Sequence, residues 1–440
     1  MPEIRAFRAL RYDRATIPDP AQVVAPPYDV IDAAEHGRLL ARHPANVVRL
    51  DLPSDELGDE PDDRYRRVAR TLAAWRSDGT LHKDPHPSIY VYEQTYRVPG
   101  TDVERTQRGY FARFRLEPFG KGSGVRPHER TLAGPREDRY KLLRATGVNT
   151  SPVVGLYDDR AGIGRPILDA ATARPADLDI TVDDGVRHRM WAVPADADAA
   201  DAIAPLLEVA ARGPVTIADG HHRYEMALRY RDERRMTRSC EEDPAFDYLL
   251  MLLLDAAGEP LTVLPTHRLV RGLGDDGVLR LLSGLDQFFE VRRDVTKAEL
   301  VERFEGAGLP VGGAGRFGLW TRAGGVHLTA RREAFEPHLP PGGAALRALD
   351  VTLLGIAIDG LTGIGADAVA AGAMTYSRSA STAVALVDAG TEGADVAFLL
   401  EPTPVASVLA VAADGDVMPQ KSTYFYPKAL TGLVINPHEW

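Results

Sequence analysis

The densest group of ionisable residues in the sequence lies in the stretch PVTIADGHHRYEMALRY. The apolar run VTIA is typical of a buried strand, and the apolar residues after HHR recur at helical spacing. Asp219 and Gly220 supply the turn, so His221, His222 and Arg223 fall in the first helical turn. The partial positive charge of a helix N-terminus disfavours cations there unless a bound anion offsets it. The spacing therefore predicts a turn that binds phosphate.

Two other interpretations of this stretch stay open. Asp219 is a good N-cap residue, which would leave the two histidines as ordinary hydrogen-bonding groups. A zinc site would need further ligands, because adjacent histidines point about 100° apart on a helix and lack the i, i+4 spacing of a zinc helix. The histidines elsewhere in the chain that could complete such a site are His128, His188 and His267.

A second group of ionisable residues lies in RPHERTLAGPREDRYKLL, around a Gly-Pro turn. Glu129 or Asp138 could accept the proton of an alcohol, while Arg136 and Arg139 could bind phosphate oxygens with their forked guanidinium groups. The competing interpretation is a solvated helix start, since a proline followed by two acids is good chemistry for the first turn of a helix.

A third group lies near the C-terminus in MPQKSTYFYPKALTGLVIN, where Lys421 and Lys428 stand among aromatic residues. Exposed lysines are the ordinary explanation of such a pattern. The alternative is that Lys428, which follows a proline and precedes a small Thr-Gly pair, faces a pocket and binds an anion.

The elements that position these groups follow from the hydrophobic pattern. Helices are predicted at DDRYRRVARTLAAWRSDGTL, whose tyrosine, valine, leucine and tryptophan share one face, at about 135–146 and at 196–211. Strands are predicted at ANVVRLDL, PSIYVYEQTYRV, QRGYFARFRLEPF, RHRMWAVP and the apolar run YLLMLLL.

This mixture predicts an α+β fold of mixed sheets with flanking helices, compact, in two intimately packed subdomains. The first subdomain is expected to span 1–272 and to hold the two motifs around Glu129 and Asp219. The second is expected to span 273–440, and its end at 418–436 is expected to return to the site.

Composition narrows the function classes. A formal net charge of -11 over 440 residues argues against a protein that lies along nucleic acid, where affinity comes from lysine and arginine. The longest apolar run, YLLMLLL, is much shorter than the about 18 residues that span a bilayer, and the N-terminus lacks the apolar segment of a secretory signal. We therefore expect a cytoplasmic protein with no membrane segment, and nothing in the sequence specifies its oligomeric state.

Four motifs occur in order along nearly the whole chain: APPYDVI, RPHERTLAGPREDR with NTSPVVGLY, IADGHHRYEMAL and MPQKSTYFYPKALTGLV. Together they resemble a widespread bacterial and archaeal family of unknown function, from which the chain departs at Arg136, where lysine is usual. The turn from Asp219 to Arg223 also looks like the phosphate-binding turn of the ParB and sulfiredoxin superfamily, which includes free-serine kinases.

The resemblance implies a magnesium-dependent phosphotransferase. Its donor would be pyrophosphate or a nucleotide, and its acceptor a small hydroxyl substrate, with L-serine the best single choice. Phosphoryl transfer needs cations and amides around the phosphate, a metal ligand, and a carboxylate that orients the alcohol. The two alternatives are a nucleotide-binding, ParB-like regulator without efficient catalysis and a phosphoester hydrolase that uses water at the same site.

Each role has a candidate residue on this interpretation. Phosphate binding is assigned to the following residues: Gly220, His221, His222, Arg223, Arg139 and Lys428. Asp219 and Glu129 take the metal ligand and the catalytic base in either order, and His222 assists catalysis. His128 and Asp138 are expected to bind and orient the substrate.

Overall fold

Segments rich in tyrosine, valine and leucine build a large sheet in the first part of the chain. The computed structural model describes residues 1–129, 134–196, 200–237, 242–258, 260–305 and 315–440, without the side chains of 134–136, 237 and 392. The strands up to residue 255 are β1 (Ile4–Arg5), β2 (Leu10–Tyr12), β3 (Leu81–Lys83), β4 (Ser88–Arg97), β5 (Glu104–Arg115), β6 (Val125–Arg126), β7 (Val148–Asn149), β8 (Val153–Tyr157), β9 (Leu178–Thr181), β10 (Arg187–Pro194), β11 (Val215–Asp219) and β12 (Tyr248–Asp255). The helices are α1 (Ala33–Arg42), α2 (Val48–Asp51), α3 (Asp63–Ser77), α4 (Gly134–Thr146), α5 (Arg165–Thr172), α6 (Ala200–Ala211) and α7 (His221–Thr237).

Within the described residues, nine of these strands form one mixed sheet in the order β6–β11–β8–β12–β5–β4–β10–β9, with β1 paired to β5. The pairs β6–β11 and β8–β12 are parallel, and the neighbouring pairs are antiparallel. Strand β11 therefore lies near one edge of the sheet, and its last residue, Asp219, leads into helix α7.

The second part of the chain builds a smaller sheet. The strands of this part of the chain are β13 (Thr262–Leu264), β14 (His267–Arg271), β15 (Phe289–Val295), β16 (Arg316–Thr321), β17 (Gly324–Ala330), β18 (Met374–Ser377), β19 (Ala394–Leu400), β20 (Tyr424–Tyr426) and β21 (Asn436–Pro437). Its helices are α8 (Gly274–Gly284), α9 (Lys297–Phe304), α10 (Arg332–Phe335), α11 (Ala344–Arg347), α12 (Asp350–Thr362), α13 (Ala366–Ala370), α14 (Ala380–Ala389) and α15 (Val405–Asp414). Six strands pair in the order β15–β17–β16–β19–β14–β18.

The prediction of an α+β fold with mixed sheets and flanking helices is confirmed. Helix α3 buries the predicted face of Tyr65, Val68, Leu72 and Trp75. Strands β4, β5, β10 and β12 and helix α4 also lie where the pattern predicts them. Among the helices of the described part, none combines the length and apolar character that a membrane span requires. The division of the chain at residue 272 stays a prediction.

The predicted strand at ANVVRLDL is wrong, because this segment contains helix α2. The side-chain oxygen of Asn46 accepts a hydrogen bond from the backbone N–H of Val48 at 3.0 Å, and its amide donates to the carbonyl of Val24 at 3.2 Å. The bond to Val48 forms a turn that starts the helix, and the bond to Val24 fixes that turn against another part of the chain. The apolar pattern of this segment does not indicate that Asn46 makes these hydrogen bonds.

The C-terminal segment, residues 418–440, packs back against earlier parts of the chain. Strand β20 pairs with β13 and β21 with β7, and the backbones of Ala25 and Thr431 form a further bridge. Arg113, 2% exposed, donates from Nε to Asn436 Oδ1 at 2.7 Å and from Nη2 to the carbonyl of Pro437 at 2.6 Å. A buried guanidinium therefore anchors the end of the chain.

Gly432 in this segment tests how tightly it is packed. Its φ is +90°, and an added Cβ would lie 2.9 Å from Val47 Cβ. Gly185 has a similar φ of +80° with open space around it. The left-handed backbone should cost both Gly→Ala variants about 1–2 kcal/mol in unfolding free energy, and the clash should cost Gly432→Ala about 1–3 kcal/mol more. Urea denaturation measures both, and equal losses would contradict the close packing.

Candidate functional site

The turn between β11 and α7 has a shape that only glycine permits at its centre. Gly220 has a φ of +89°, and a Cβ at this position would lie 3.0 Å from Arg223 Nε. A side chain would therefore be strained and would also press on the guanidinium. Gly220 lets Arg223 fold back over the turn and reach the carboxylate of Asp219.

Asp219 binds two cations, one from the first turn of α7 and one from near the C-terminus. Arg223 Nη2 donates to its Oδ2 at 2.5 Å, and Lys428 Nζ donates to its Oδ1. The three side chains are between 11% and 14% exposed, and we call them the ion triad. Burial alone would raise the pKa of the Asp219 carboxyl, but Lys428 and Arg223 outweigh burial and hold that pKa well below its usual value. Asp219 is therefore ionised at neutral pH, with both oxygens engaged.

A cavity of about 440 Å³ adjoins the ion triad. It lies where the turn after β11 of the first sheet meets β18 of the second sheet and the C-terminal segment. Its walls are formed by five groups of residues: Tyr28–Val30, Glu129, Ala218–Arg223, Met374–Arg378, and Thr266 with Lys421, Thr423, Tyr424 and Lys428. The predicted residues Glu129, Asp219, Gly220, His221, His222, Arg223 and Lys428 thus all line one cavity.

Glu129 supplies a second carboxyl group to this cavity. Its Oε1 accepts a hydrogen bond from the backbone N–H of Lys421 at 2.9 Å. Burial raises the pKa of Glu129 to about 7, against the lowering effects of Lys421 and Lys428. This acid therefore exchanges its proton near neutral pH, whereas Asp219 stays ionised.

The two histidines His128 and His221 are neutral and hold each other in place. Burial lowers the pKa of His128 to about 4, and it lowers the pKa of His221 well below the usual value. His128 Nδ1 donates to the carbonyl of Ile217, and its Nε2 accepts from Thr423 Oγ1 at 2.9 Å. The backbone N–H of His128 donates to His221 Nε2 at 3.2 Å. His128 lies behind the cavity wall with both ring nitrogens engaged, so the structure does not place it where a substrate would lie.

Asp138 and Arg139 lie outside the residues that line the cavity. Arg139 donates to Asp138 Oδ2 from Nη2 at 2.6 Å and to the carbonyl of Asp51 at 2.6 Å. Asp138 also accepts from Tyr65 Oη at 2.8 Å. The Arg139 guanidinium lies 4.1 Å from the ring centre of Tyr28, which does line the cavity. Arg139 thus reaches the site through Tyr28 and not by its own side chain, and the Arg136 side chain lies outside the described residues.

Several lining residues were missed by the sequence reasoning. Tyr28 and Asp29 belong to APPYDVI, a motif that contributed to the family resemblance without receiving a role. Tyr376 and Ser377 are the last residues of β18 and Arg378 follows them, in a segment with no distinctive motif. Only the pairing of β18 with β14 brings them to the cavity.

The donor set does not fit a Mg²⁺ ion bound at Asp219. Mg²⁺ takes oxygen ligands in octahedral geometry, and both Asp219 oxygens already bind cationic side chains. In the ranges that the structure describes, no three His, Cys, Asp or Glu side chains group as a metal site. His188 binds Tyr92 Oη at 2.6 Å and His267 accepts from the backbone of Leu400 at 3.3 Å, so neither joins His221.

The chain belongs to the family described as "Protein of unknown function (DUF1015)", whose model matches residues 4–352. No curated protein matches the chain. Among solved structures it is similar to a free serine kinase in complex with AMP, with 14% identity, 75% of this chain and 90% of that chain covered, and a TM-score of 0.36.

Two further solved structures are similar to the chain. A conserved hypothetical protein from Pyrococcus furiosus has 14% identity, with 69% of this chain and 87% of that chain covered and a TM-score of 0.33. SbnI with a C-terminal truncation, from Staphylococcus aureus, has 11% identity, with 71% and 83% covered and a TM-score of 0.33. Likenesses at this level carry no argument about function, which must come from the site.

The raised pKa of Glu129 gives stability a pH dependence that one substitution removes. Between its ordinary 4.5 and about 7 the folded protein binds more protons than the unfolded chain, so stability falls as pH rises through this window. Glu129→Gln keeps the acceptor for Lys421 but carries no proton to lose. From about pH 4.5 to about pH 7.5 its unfolding free energy should gain on wild type by about 2–3 kcal/mol.

Urea denaturation across this pH range measures the difference. The exposed Glu302 of α9 provides the matched control, because Glu302→Gln removes the same charge far from the cavity. A gain that is the same for both variants would show that the carboxyl of Glu129 is not perturbed.

Proposed function

We propose that this member of the family is a phosphotransferase. It moves a phosphoryl group from pyrophosphate or a nucleotide to the hydroxyl group of a small acceptor, and L-serine is the acceptor of first choice. The observation that carries the proposal is the ion triad itself: two cations share one buried carboxylate at a helix start that lines a cavity.

The ion triad and the helix start together favour an oxyanion. Within the ion triad, Arg223 and Lys428 carry two positive charges against the single negative charge of Asp219, and the carboxylate of Asp29, which also lines the cavity, acts electrostatically on both cations. The first backbone hydrogen bond at this end of α7 runs from Tyr224 N to Gly220 O at 3.0 Å. The start of a helix presents N–H groups that lie outside the helical hydrogen-bond ladder, and the helix dipole adds to its attraction for phosphate.

The two carboxyl groups divide the roles that the sequence left open between them. Asp219 is a poor base, because Arg223 and Lys428 hold it ionised and occupy its oxygens. Glu129 is a suitable base, since a general base works best with a pKa near the operating pH, and its pKa is about 7. Asp219 then orients the two cations, and Glu129 serves the acceptor.

The proposed step balances as follows. The acceptor oxygen attacks the phosphorus of the donor, the bond from that phosphorus to the leaving oxygen breaks, and Glu129 takes the hydroxyl proton. Arg223 and Lys428 stabilise the charge on the transferred and leaving groups. His221 and His222 lie beside them on the cavity wall. No step is assigned to Mg²⁺, which enters only as a component of the assay.

The proposal is tested by product analysis with purified protein, MgCl₂, L-serine and a panel of donors: pyrophosphate, ADP and ATP. Phosphoserine should form, at a rate that falls as pH drops below about 7 because Glu129 becomes protonated. Glu129→Gln should lower kcat by about 10²–10⁴-fold and remove that pH dependence. The charged groups around this carboxyl are Lys421, Lys428, Asp219 and Arg268.

Three outcomes would overturn the assignment. Release of inorganic phosphate without a phosphorylated acceptor would favour the hydrolase. Tight nucleotide binding without turnover would favour the regulator, and gel-shift assays at physiological salt would then test for DNA binding. Full activity of Glu129→Gln would remove the proposed base.

The assignment of phosphate binding to Arg223 and Lys428 is tested by the affinity for the donor. Arg223→Gln and Lys428→Gln should each weaken pyrophosphate binding about 10- to 100-fold, because each removes a charge-assisted hydrogen bond of about 1.5–3 kcal/mol. Arg229→Gln is the matched control, since Arg229 lies on the same helix and pairs at the surface with Glu137 at 2.7 Å. Isothermal titration calorimetry measures the affinities, and circular dichroism checks the fold. Wild-type affinity in both Arg223→Gln and Lys428→Gln would refute the assignment.

A further inference from the structure

Arg378 places a positive charge on a wall of the cavity that the ion triad does not form. It follows β18 directly and is exposed. Its guanidinium carbon lies 4.4 Å from the ring centre of Tyr424, and Lys428 Nζ lies 4.3 Å from the same centre. No carboxylate of the described residues makes an ion pair with Arg378. An aromatic ring therefore orients this cation, but no acid neutralises it.

Arg268 adds a second guanidinium behind this wall. It is the cross-strand partner of Tyr376 in the β14–β18 pair, and it is 3% exposed. It donates from Nη1 to the carbonyl of Thr266 at 3.1 Å, and no carboxylate of the described ranges lies within ion-pair distance. A buried charge without a counterion is costly. This wall of the cavity thus carries positive charge that no carboxylate of the described residues pairs with directly, and Glu129 acts on Arg268 only at longer range.

The start of helix α14, which follows Arg378, is not the feature of this wall that would bind an anion, because serine side chains already accept hydrogen bonds from N–H groups there. The hydroxyl of Ser379 accepts from Thr382 N at 3.1 Å, and Ser377 Oγ accepts from Ser379 N at 3.2 Å. These side chains satisfy N–H groups of the turn and the first helical residues. The features that remain for a ligand are the guanidinium of Arg378 and the side chain of Tyr376, which both line the cavity.

We propose that Arg378, backed by the charge of Arg268, binds the carboxylate of the acceptor and thereby selects a small hydroxy acid. The identification of this anion as part of the acceptor rests on the proposed function. The donor phosphates belong at the ion triad, which is a different wall. A planar guanidinium fork suits a carboxylate, which it can bind through two parallel hydrogen bonds.

The position of Glu129 supports this orientation. Glu129 interacts electrostatically with Arg268 behind the Arg378 wall and also with Asp219 and Lys428 of the ion triad. The proposed base therefore lies between the two walls. An acceptor whose hydroxyl reaches Glu129 can direct its carboxylate towards Arg378 within a cavity of about 440 Å³. The competing anion with the same oxyanion chemistry is a distal phosphate of the donor.

The experiment compares L-serine with L-serinamide, which keeps the hydroxyl but lacks the carboxylate. In Arg378→Gln, kcat/KM for L-serine should fall about 10- to 100-fold, while the much lower value for L-serinamide should change little. Arg378→Lys should restore part of the loss, and the KM for the donor should stay at its wild-type value. Arg316→Gln is the control, because it removes an exposed arginine from the same sheet, on β16.

Each remaining outcome decides the matter. If the variant keeps the preference for L-serine, or if the donor KM rises instead, Arg378 does not bind the acceptor carboxylate, and the phosphotransferase assignment is unaffected. If wild type phosphorylates neither compound, the proposed function fails, and calorimetry with L-serine and L-serinamide in the presence of pyrophosphate decides the subsite. Selective binding of L-serine that Arg378→Gln loses would then support it, and equal or absent binding would overturn it.

Discussion

The pairing of Asp219 with Lys428 is the interaction on which the rest of the site depends. The two residues are 209 positions apart in the sequence, yet their side chains meet at the end of β11. Asp219 also holds Arg223, so one buried carboxylate orients both cations that face the cavity. Removing one partner of such a buried pair is costly, because the remaining charge loses its counterion. The site therefore exists only when the C-terminal segment is in place.

Much of the packing of that segment can be understood as support for Lys428. Gln94 Nε2 donates to the Lys428 carbonyl at 3.0 Å, strand β20 pairs with β13, and Arg113 holds the last residues. The same segment brings the backbone of Lys421 to Glu129. The two carboxyl groups of this cavity therefore differ. Lys428 and Arg223 keep Asp219 ionised, whereas burial raises the pKa of Glu129 to about 7. Such a divergence of environments is how one site obtains separate electrostatic and acid–base groups.

Local chemistry made part of this predictable from the sequence. The strand, glycine turn and helix around Gly220 follow from an apolar run and helical spacing, and the amphipathic face of α3 follows from its period. The strand predicted at ANVVRLDL is wrong because Asn46 starts a helix there. One of its two hydrogen bonds goes to the carbonyl of Val24, which only the folded chain brings close. Arg139 is a residue type that binds phosphate, but its guanidinium instead donates hydrogen bonds to the carbonyl of Asp51 and the carboxylate of Asp138. Arg378 could not be found at all, because only tertiary pairing of β18 with β14 brings it to the cavity.

The proposed function depends on binding of the donor phosphate at the ion triad. A crystal structure of the protein with pyrophosphate tests it most directly, because the position of the phosphorus atoms is then observed. Phosphate oxygens should lie about 3 Å from Arg223, from Lys428 and from a backbone N–H in the first turn of α7. Pyrophosphate bound on another part of the surface, with the Asp219 pairs undisturbed and no phosphate beside them, would contradict it.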